Sequence, residues 1–370
     1  MRVLHVITAI IRGGAENHVM ELSRLQAKSG DSVACAYLKG FRPYWLPGFK
    51  NIGAAVYPLG MAFYGDPRPV FRLRAAIEKF RPDIVHAHLG PAELYTRLAL
   101  LGSDARFIIT RHQEVDLVAR PIERWVIHRA SAVIALTEAV RRNYAAEHPD
   151  MVDQIWAIHF GIDAAPFDHP SDIRPELGIN PDAYVIGTVS RFSPEKATPV
   201  LLEGFAKYAA TDQTARLLIV GWGALESDLR SKARRLGISK KVVWGGYRDD
   251  MPSVMAAMDV FALTSTREGF GNVFLEAMAA ARPVISTNVS GVSEIVKDGE
   301  TGVLIPPNNA VALADGLRQL SDKSLRITLG ANGRKRAKDA FGLNTFYART
   351  RACYADALAD TLTHYPLSSL

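Results

Sequence analysis

The feature that most restricts the fold of this chain is a succession of short apolar runs separated by segments of helical periodicity. In the first half the runs are Val3–Thr8, Val33–Leu38, Ala54–Leu59, Ile84–His88, Phe107–Thr110, Val133–Leu136 and Ile155–His159. Helical patterns such as Glu16–Ser29, Phe71–Phe80 and Ala92–Leu101 lie between several of them. Strands that alternate with helices form βαβ units, and these units build parallel sheets. Between Gly161 and Pro181, Pro and Asp recur and the periodicity fades, which marks a domain boundary. A second series follows, with strands at Val185–Ser190, Leu217–Val220, Val242–Trp244, Val260–Leu263, Val284–Ser286 and Gly302–Ile305, and the segment from Phe341 reads as helical. A length of 370 residues accommodates two domains. The predicted architecture is α/β, two doubly wound domains, 1–164 and 165–345, facing across a cleft. In such sheets ligands bind at the C-terminal ends of the strands.

One of those ends carries unusual chemistry. Leu263–Ile285 reads as a strand end, a loop holding Gly269 and Gly271, a helix, and a new strand after Pro283. Glu268 and Glu276 flank the glycines, eight positions apart. Glycine lets backbone amides approach a ligand, and the first amides of a helix have no partners within it. Such an end favours anions, phosphates above all. A carboxylate beside a phosphate site is unfavourable unless it accepts hydrogen bonds, for example from sugar hydroxyls. A nucleotide-sugar meets all three demands, with a diphosphate between a ribose and a hexose.

Bulk properties exclude several classes. With 48% hydrophobic and 22% charged residues the chain is an ordinary globular one. Its net charge of +6 is spread without a dense stripe, so no nucleic-acid partner is expected. The two cysteines, Cys35 and Cys353, lack metal-ligand spacing and fit a reducing compartment. The apolar start is interrupted by His5 and Thr8 and shows no cleavage site, so it reads as a strand, not as a signal peptide. No apolar run approaches the length of a membrane helix. The expected location is cytoplasmic, or peripheral on the inner face of a membrane.

Four further loops fall at strand ends. Gly13 and Gly14 enter the first helix; they lack the spacing of a dinucleotide fingerprint, and a tight turn is the alternative. His86 and His88 share a strand face, which invites a zinc reading, yet no third ligand has familiar spacing, and no metal is expected. His112, in Thr110-Arg-His112, can bond a sugar hydroxyl or move a proton, or serve packing alone. Arg191 and Lys196 can reach one ligand from opposite edges of a loop and neutralise a diphosphate without a metal, a solvated loop being the alternative.

Together these elements resemble the retaining, nucleotide-sugar-dependent glycosyltransferases of family 4, which have the GT-B fold of two Rossmann-like domains. The matching pieces are Gly13-Gly14, His112, Arg191 with Lys196, Gly221-Trp-Gly223, Glu268-Gly-Phe-Gly-Asn-Val-Phe-Leu-Glu276 and Ser290-Gly-Val-Ser-Glu-Ile295. The resemblance implies that Arg191 and Lys196 bind the donor diphosphate. It implies that Glu268 and the amides of Phe270 and Gly271 hold donor sugar and phosphate, with Gly269, Asn272 and Val273 in the same turn. Glu276 would take the ribose hydroxyls, Gly13 and Gly14 would complete the phosphate site, and His112 would contact the sugar near the reacting carbon. The helix at about 346–370 would pack back on the first domain. The chain departs from the usual pattern at Ala197 and Ala281, where glycine is common, and at Phe160, where asparagine is.

The expected reaction moves a hexose or N-acetylhexosamine from a nucleoside diphosphate to a hydroxyl with retention. Without an Asp-x-Asp in the expected place, no essential divalent cation or other cofactor is foreseen. Gly223 and Tyr247 are the expected readers of the base, UDP-sugar being favoured and GDP-mannose next. The acceptor is read as a glycan or lipid-linked hydroxyl. Phe41–Lys50 and the basic amphipathic Arg68–Arg81 are candidates for resting on an anionic membrane, against an ordinary surface. A GT-B-type epimerase, a two-domain sugar-binding protein and a nicotinamide dehydrogenase are the competing classes, the last disfavoured by the missing glycine fingerprint.

Overall fold

The structure, a computed structural model, describes residues 1–11, 13–40, 43–112 and 120–359. Arg12, Phe41, Arg42, the positions after His112 up to 119, and the part of the predicted last helix beyond 359 lie outside the described residues. Two compact units divide the chain, Met1–Phe160 with Asn344–Leu370, and Gly161–Leu343.

Each apolar run forms a strand, with ends that differ from the expected ones by at most two residues. In the first unit these are β1 (Arg2–Ala9), β2 (Ser32–Lys39), β3 (Ala55–Pro58), β4 (Ile84–His88), β5 (Arg106–Arg111), β6 (Ala132–Ala135) and β7 (Ile155–Ala157). They pair in parallel in the order β3-β2-β1-β4-β5-β6-β7. The second unit holds β8 (Val185–Arg191), β9 (Arg216–Trp222), β10 (Val242–Gly246), β11 (Val260–Leu263), β12 (Val284–Thr287) and β13 (Gly302–Ile305), in the order β10-β9-β8-β11-β12-β13, again all parallel. Helices join successive strands, as parallel pairing requires. Both sheets therefore reverse their winding once, between β1 and β4 and between β8 and β11. At such a switch point two strand-end loops diverge and leave a crevice.

Side chains alternate across the first sheet, and this sorts them chemically. Leu4 and Val6, Val85 and Ala87, and Phe107 and Ile109 share one apolar core. The intervening residues His5, His86, His88 and Thr110 are also buried, on the other face. Arg111 returns to the first side. There it lies 3.0 Å from both Glu93 and Glu123, all three buried. Burial, opposed by Arg111 and reinforced by Glu123, pushes the Glu93 carboxyl up to about 7.

The C-terminal helical reading needs one correction. Phe341 ends a helix, Lys323–Phe341, and the last helix is separate, Leu343–Ala359. The break falls at Gly342, whose extended backbone pairs with Ile162. Among the described residues no helix is long and apolar enough to cross a membrane.

Both alanines that stand in place of glycine adopt left-handed backbone, Ala197 at φ 44° and Ala281 at φ 55°. An L side chain there costs about 1–2 kcal/mol, partly offset by the greater unfolded-state entropy of glycine. Ala281→Gly is expected to stabilise by about 0.5–1 kcal/mol and to raise Tm by about 2 °C in a thermal melt. A lower Tm would contradict the strain.

Candidate active site

The switch point of the second unit is built from two loops. β8 ends at Arg191, and a short 3-10 turn, Pro194–Lys196, leads through Ala197 into the helix Thr198–Ala209. β11 ends at Leu263, and its loop enters the helix Asn272–Ala279 through Gly271 at φ 81°. A Cβ at Gly271 would lie 2.7 Å from the Phe274 ring, so the turn admits glycine on both conformational and steric grounds.

Hydrogen bonds tie the loops to each other. The Thr266 amide donates to the Glu195 carbonyl at 2.8 Å, and the Thr264 hydroxyl to the Ala197 carbonyl at 3.0 Å. Across this seam Lys196 Nζ lies 2.7 Å from Glu268 Oε2, which also accepts from the Ser265 hydroxyl at 3.0 Å. Both side chains of the pair are largely buried. Arg191 stands 3.0 Å from Glu195, with most of its guanidinium exposed. Lys196 and Glu268 thus meet on the loops that flank the start of a helix, and Arg191 stands at the end of β8 on the same loop as Lys196.

Glu276 is the fifth residue of that helix and is partly buried. It makes no ion pair among the described residues, and burial pushes its carboxyl up to about 7. Phe270 is buried and edge-on to Phe341 at 6.2 Å. Tyr247 is exposed. Gly223 has a packing reason of its own, because a Cβ there would approach the Phe192 backbone to 2.5 Å. Gly269, Asn272 and Val273 lie in or next to the turn that holds Gly271.

The first unit presents a different environment at its own switch point. Gly13 precedes the helix Gly14–Lys28, and the Glu16 carboxylate folds back against it, its pKa raised by burial. Strand register places His5 of β1 opposite His86 of β4, and His88 opposite Thr110 of β5. His112 follows β5. His18, from the first helix, is edge-on to His112 at 5.0 Å and packs on Phe160 and Phe346 at 5.1 and 5.0 Å. Phe160 therefore fills an aromatic wall where the family often has asparagine. Burial lowers every one of these imidazoles, His5 to about 4 and His112 to about 3, and His18, His86 and His88 well below the ordinary value. The cluster is uncharged at neutral pH.

The third imidazole beside His86 and His88, which sequence spacing did not supply, is His5. The three offer nitrogens within 4.8 Å of one another. All six of their ring nitrogens are nevertheless engaged. His5 bonds Gln26 and His88, His86 bonds Tyr354 and Thr110, and His88 bonds His5 and His112. The arrangement is a hydrogen-bonded network. His5, His18, Gln26 and Tyr354 were not foreseen as site residues. Of these only His5 carries a sequence signal, a polar residue interrupting an apolar strand, whereas His18, Gln26 and Tyr354 lie on helices.

Comparison with known proteins follows these two halves. Residues 12–165 match the family Glycosyltransferase Family 4, and residues 171–336 match Glycosyl transferases group 1. A capsular polysaccharide biosynthesis glycosyltransferase, CapM of Staphylococcus aureus, is 27% identical over 85% of this chain and 87% of its own. An N-acetyl-alpha-D-glucosaminyl L-malate synthase of Bacillus anthracis is 26% identical over 75% and 76%. The crystal structure of Anabaena HepE in complex with UDP superposes with a TM-score of 0.84 at 23% identity, over 96% of this chain and 100% of that one. With the fold shared and both halves matched, the chain belongs to the family 4 glycosyltransferases, enzymes of the GT-B fold.

Proposed function

We propose that this glycosyltransferase moves a hexose or N-acetylhexosamine from a nucleoside-diphosphate sugar to a hydroxyl of a glycan or lipid-linked acceptor in cell-envelope polysaccharide synthesis. The observation that carries the reading is the Lys196–Glu268 pair on the loops before the helix Asn272–Ala279, with Arg191 at the end of the strand that leads to Lys196. Departure of the diphosphate is the difficult event. Arg191, Lys196 and the positive end of the helix dipole stabilise the charge that develops. Lys196 turns from Glu268 to the phosphate when donor binds, and Glu268 then accepts from the hydroxyls of the transferred sugar. Glu276 takes the ribose hydroxyls. Gly13, Gly14 and His112 keep the roles that the family resemblance implies. With no carboxylate assigned as nucleophile, retention proceeds by front-face attack, the leaving phosphate taking the acceptor proton. Because Arg191 and Lys196 supply the positive charge, no divalent cation is required. A UDP-sugar is the favoured donor, in keeping with the UDP held by the HepE structure and with a UDP-Gal-dependent galactosyltransferase of Escherichia coli, 24% identical over 80% of this chain and 81% of its own.

Several measurements bear on this. A thermal-shift panel of UDP, GDP, ADP and their sugars is expected to respond most to UDP; a response confined to NAD(P), or none at all, would overturn the assignment. Arg191→Ala and Glu268→Ala are each expected to lower kcat/KM by roughly a hundredfold, while EDTA leaves the wild type unaffected.

Donor affinity carries its own signature. The Glu276 pKa is raised, so the carboxylate that accepts the ribose hydroxyls forms only as pH rises through about 7. Binding of a UDP-sugar, whose diphosphate does not titrate there, is expected to strengthen between pH 6 and pH 8. Glu276→Gln should bind weakly with a flat profile, which calorimetric titration at three pH values would test.

The helix Arg68–Phe80 buries Leu73, Ala76, Ile77 and Phe80 and leaves Phe71 exposed, with Phe63 and Tyr64 exposed before it. We propose that this edge rests on an anionic membrane. Arg72 is engaged by the Leu59 carbonyl at 2.8 Å, so the informative variant changes Phe71 and Arg74 instead. Flotation with anionic vesicles is expected for the wild type and lost in Phe71→Ser/Arg74→Glu; equal behaviour of the two would end the membrane reading.

A further inference from the structure

We propose that Gln26, His5 and His88 form a directional hydrogen-bond relay that fixes the tautomer of His112, so that His112 presents the bare lone pair of Nδ1 to its ligand. The relay runs through three contacts. Gln26 Oε1 lies 2.7 Å from His5 Nε2, His5 Nδ1 lies 3.1 Å from His88 Nε2, and His88 Nδ1 lies 3.4 Å from His112 Nε2.

A neutral imidazole carries one N–H and one acceptor nitrogen, so each ring must receive at one nitrogen if it donates at the other. The amide oxygen of Gln26 can only accept, so His5 donates from Nε2 and its Nδ1 is bare. His88 must then donate to it from Nε2, which leaves His88 Nδ1 bare. His112 donates in turn from Nε2, and its Nδ1 keeps a lone pair. That nitrogen has no hydrogen-bond partner among the described residues, and His112 is partly exposed. Burial, which holds these imidazoles neutral, keeps the alternation strict.

The direction is set at the Gln26 end of the relay. The Gln26 amide faces the Tyr354 hydroxyl with Nε2 at 3.4 Å and His5 with Oε1 at 2.7 Å, and this placement gives the relay its direction. Tyr354 is itself held by His86 Nδ1 at 2.7 Å, and His86 Nε2 by the Thr110 hydroxyl at 2.7 Å. A residue of the last helix, Leu343–Ala359, is thereby joined through Gln26 to the relay that ends at His112. Gln26, His5 and His88 are positioning residues. An accepting Nδ1 suits a sugar hydroxyl and does not suit a phosphate oxygen, which deepens the reading of His112 as a sugar contact and rests on that reading.

The test reads tautomers directly. In the full-length protein labelled with 15N-histidine, long-range proton–nitrogen spectra separate Nε2–H from Nδ1–H rings, with assignments from single His→Gln variants. Expected are Nε2–H forms at His5, His88 and His112. An Nδ1–H ring at any of the three, or averaged tautomers, would overturn the relay. So would a stoichiometric metal in the purified protein, or displacement of the His5, His86 and His88 signals by added Co²⁺. In Gln26→Leu the His112 signal is expected to become a mixture of tautomers and kcat to fall about tenfold, the size of one net hydrogen bond, with the donor KM little changed. Gln26→Glu, which still accepts, is expected to restore the single tautomer. A mixed tautomer with kcat unchanged would support the relay and overturn the placement of His112 at the sugar. Wild-type spectra alone decide the relay if Gln26→Leu does not fold.

Discussion

Parallel pairing is the constraint on which everything else in this molecule rests. A strand that must run the same way as its neighbour cannot be joined to it by a hairpin, so each crossover carries a helix over the sheet. Every strand-end loop then emerges at the same edge. Because each sheet starts in its middle and winds outward twice, the loops after β8 and β11 diverge and leave room between them. Lys196 and Glu268 are 72 positions apart in sequence, yet their side chains meet. Their proximity is a property of the winding, and the loops supply only the side-chain types.

Burial is the second organising force, and it acts differently in the two units. In the second unit it leaves opposite charges paired, Lys196 with Glu268, and makes the Glu276 carboxyl of the following helix hard to ionise. A nucleotide-sugar offers both what they lack, an anion for the lysine and hydroxyl donors for the carboxylates. In the first unit burial removes charge from five histidines and turns them into directional dipoles. Neutral imidazoles in contact have to agree on which nitrogen bears the proton, so a local choice at Gln26 is transmitted along the sheet face. A charged cluster at the same place would repel itself and transmit nothing.

Residues near in sequence and regular in period were the easiest to read. The strands were legible because both faces of a parallel sheet are covered, so each reads as a nearly continuous apolar run bounded by turn residues. Gly271 and the two glutamates were legible because a helix start needs a particular chemistry within a few positions. The separation of the last two helices at Gly342 was not, since the break depends on pairing with Ile162, 180 positions away by number (342 − 162). Ala197 and Ala281 were noticed as departures from a pattern, and only their positive φ explains why glycine is common there.

By itself, the sequence determined the parallel α/β class, the order of strands and helices, and the occurrence of glycines, cations and carboxylates at strand ends. These follow from local periodicity and from side-chain chemistry over a few residues. The tertiary structure alone decided that Lys196 meets Glu268, that His5 completes a set with His86 and His88, and that Tyr354 bonds Gln26. Sheet register and helix docking bring those groups together over separations of up to 328 positions, as between Gln26 and Tyr354. Desolvation, which sets the protonation of Glu276 and of the histidines, depends on every neighbour in space and so has no local trace in the chain.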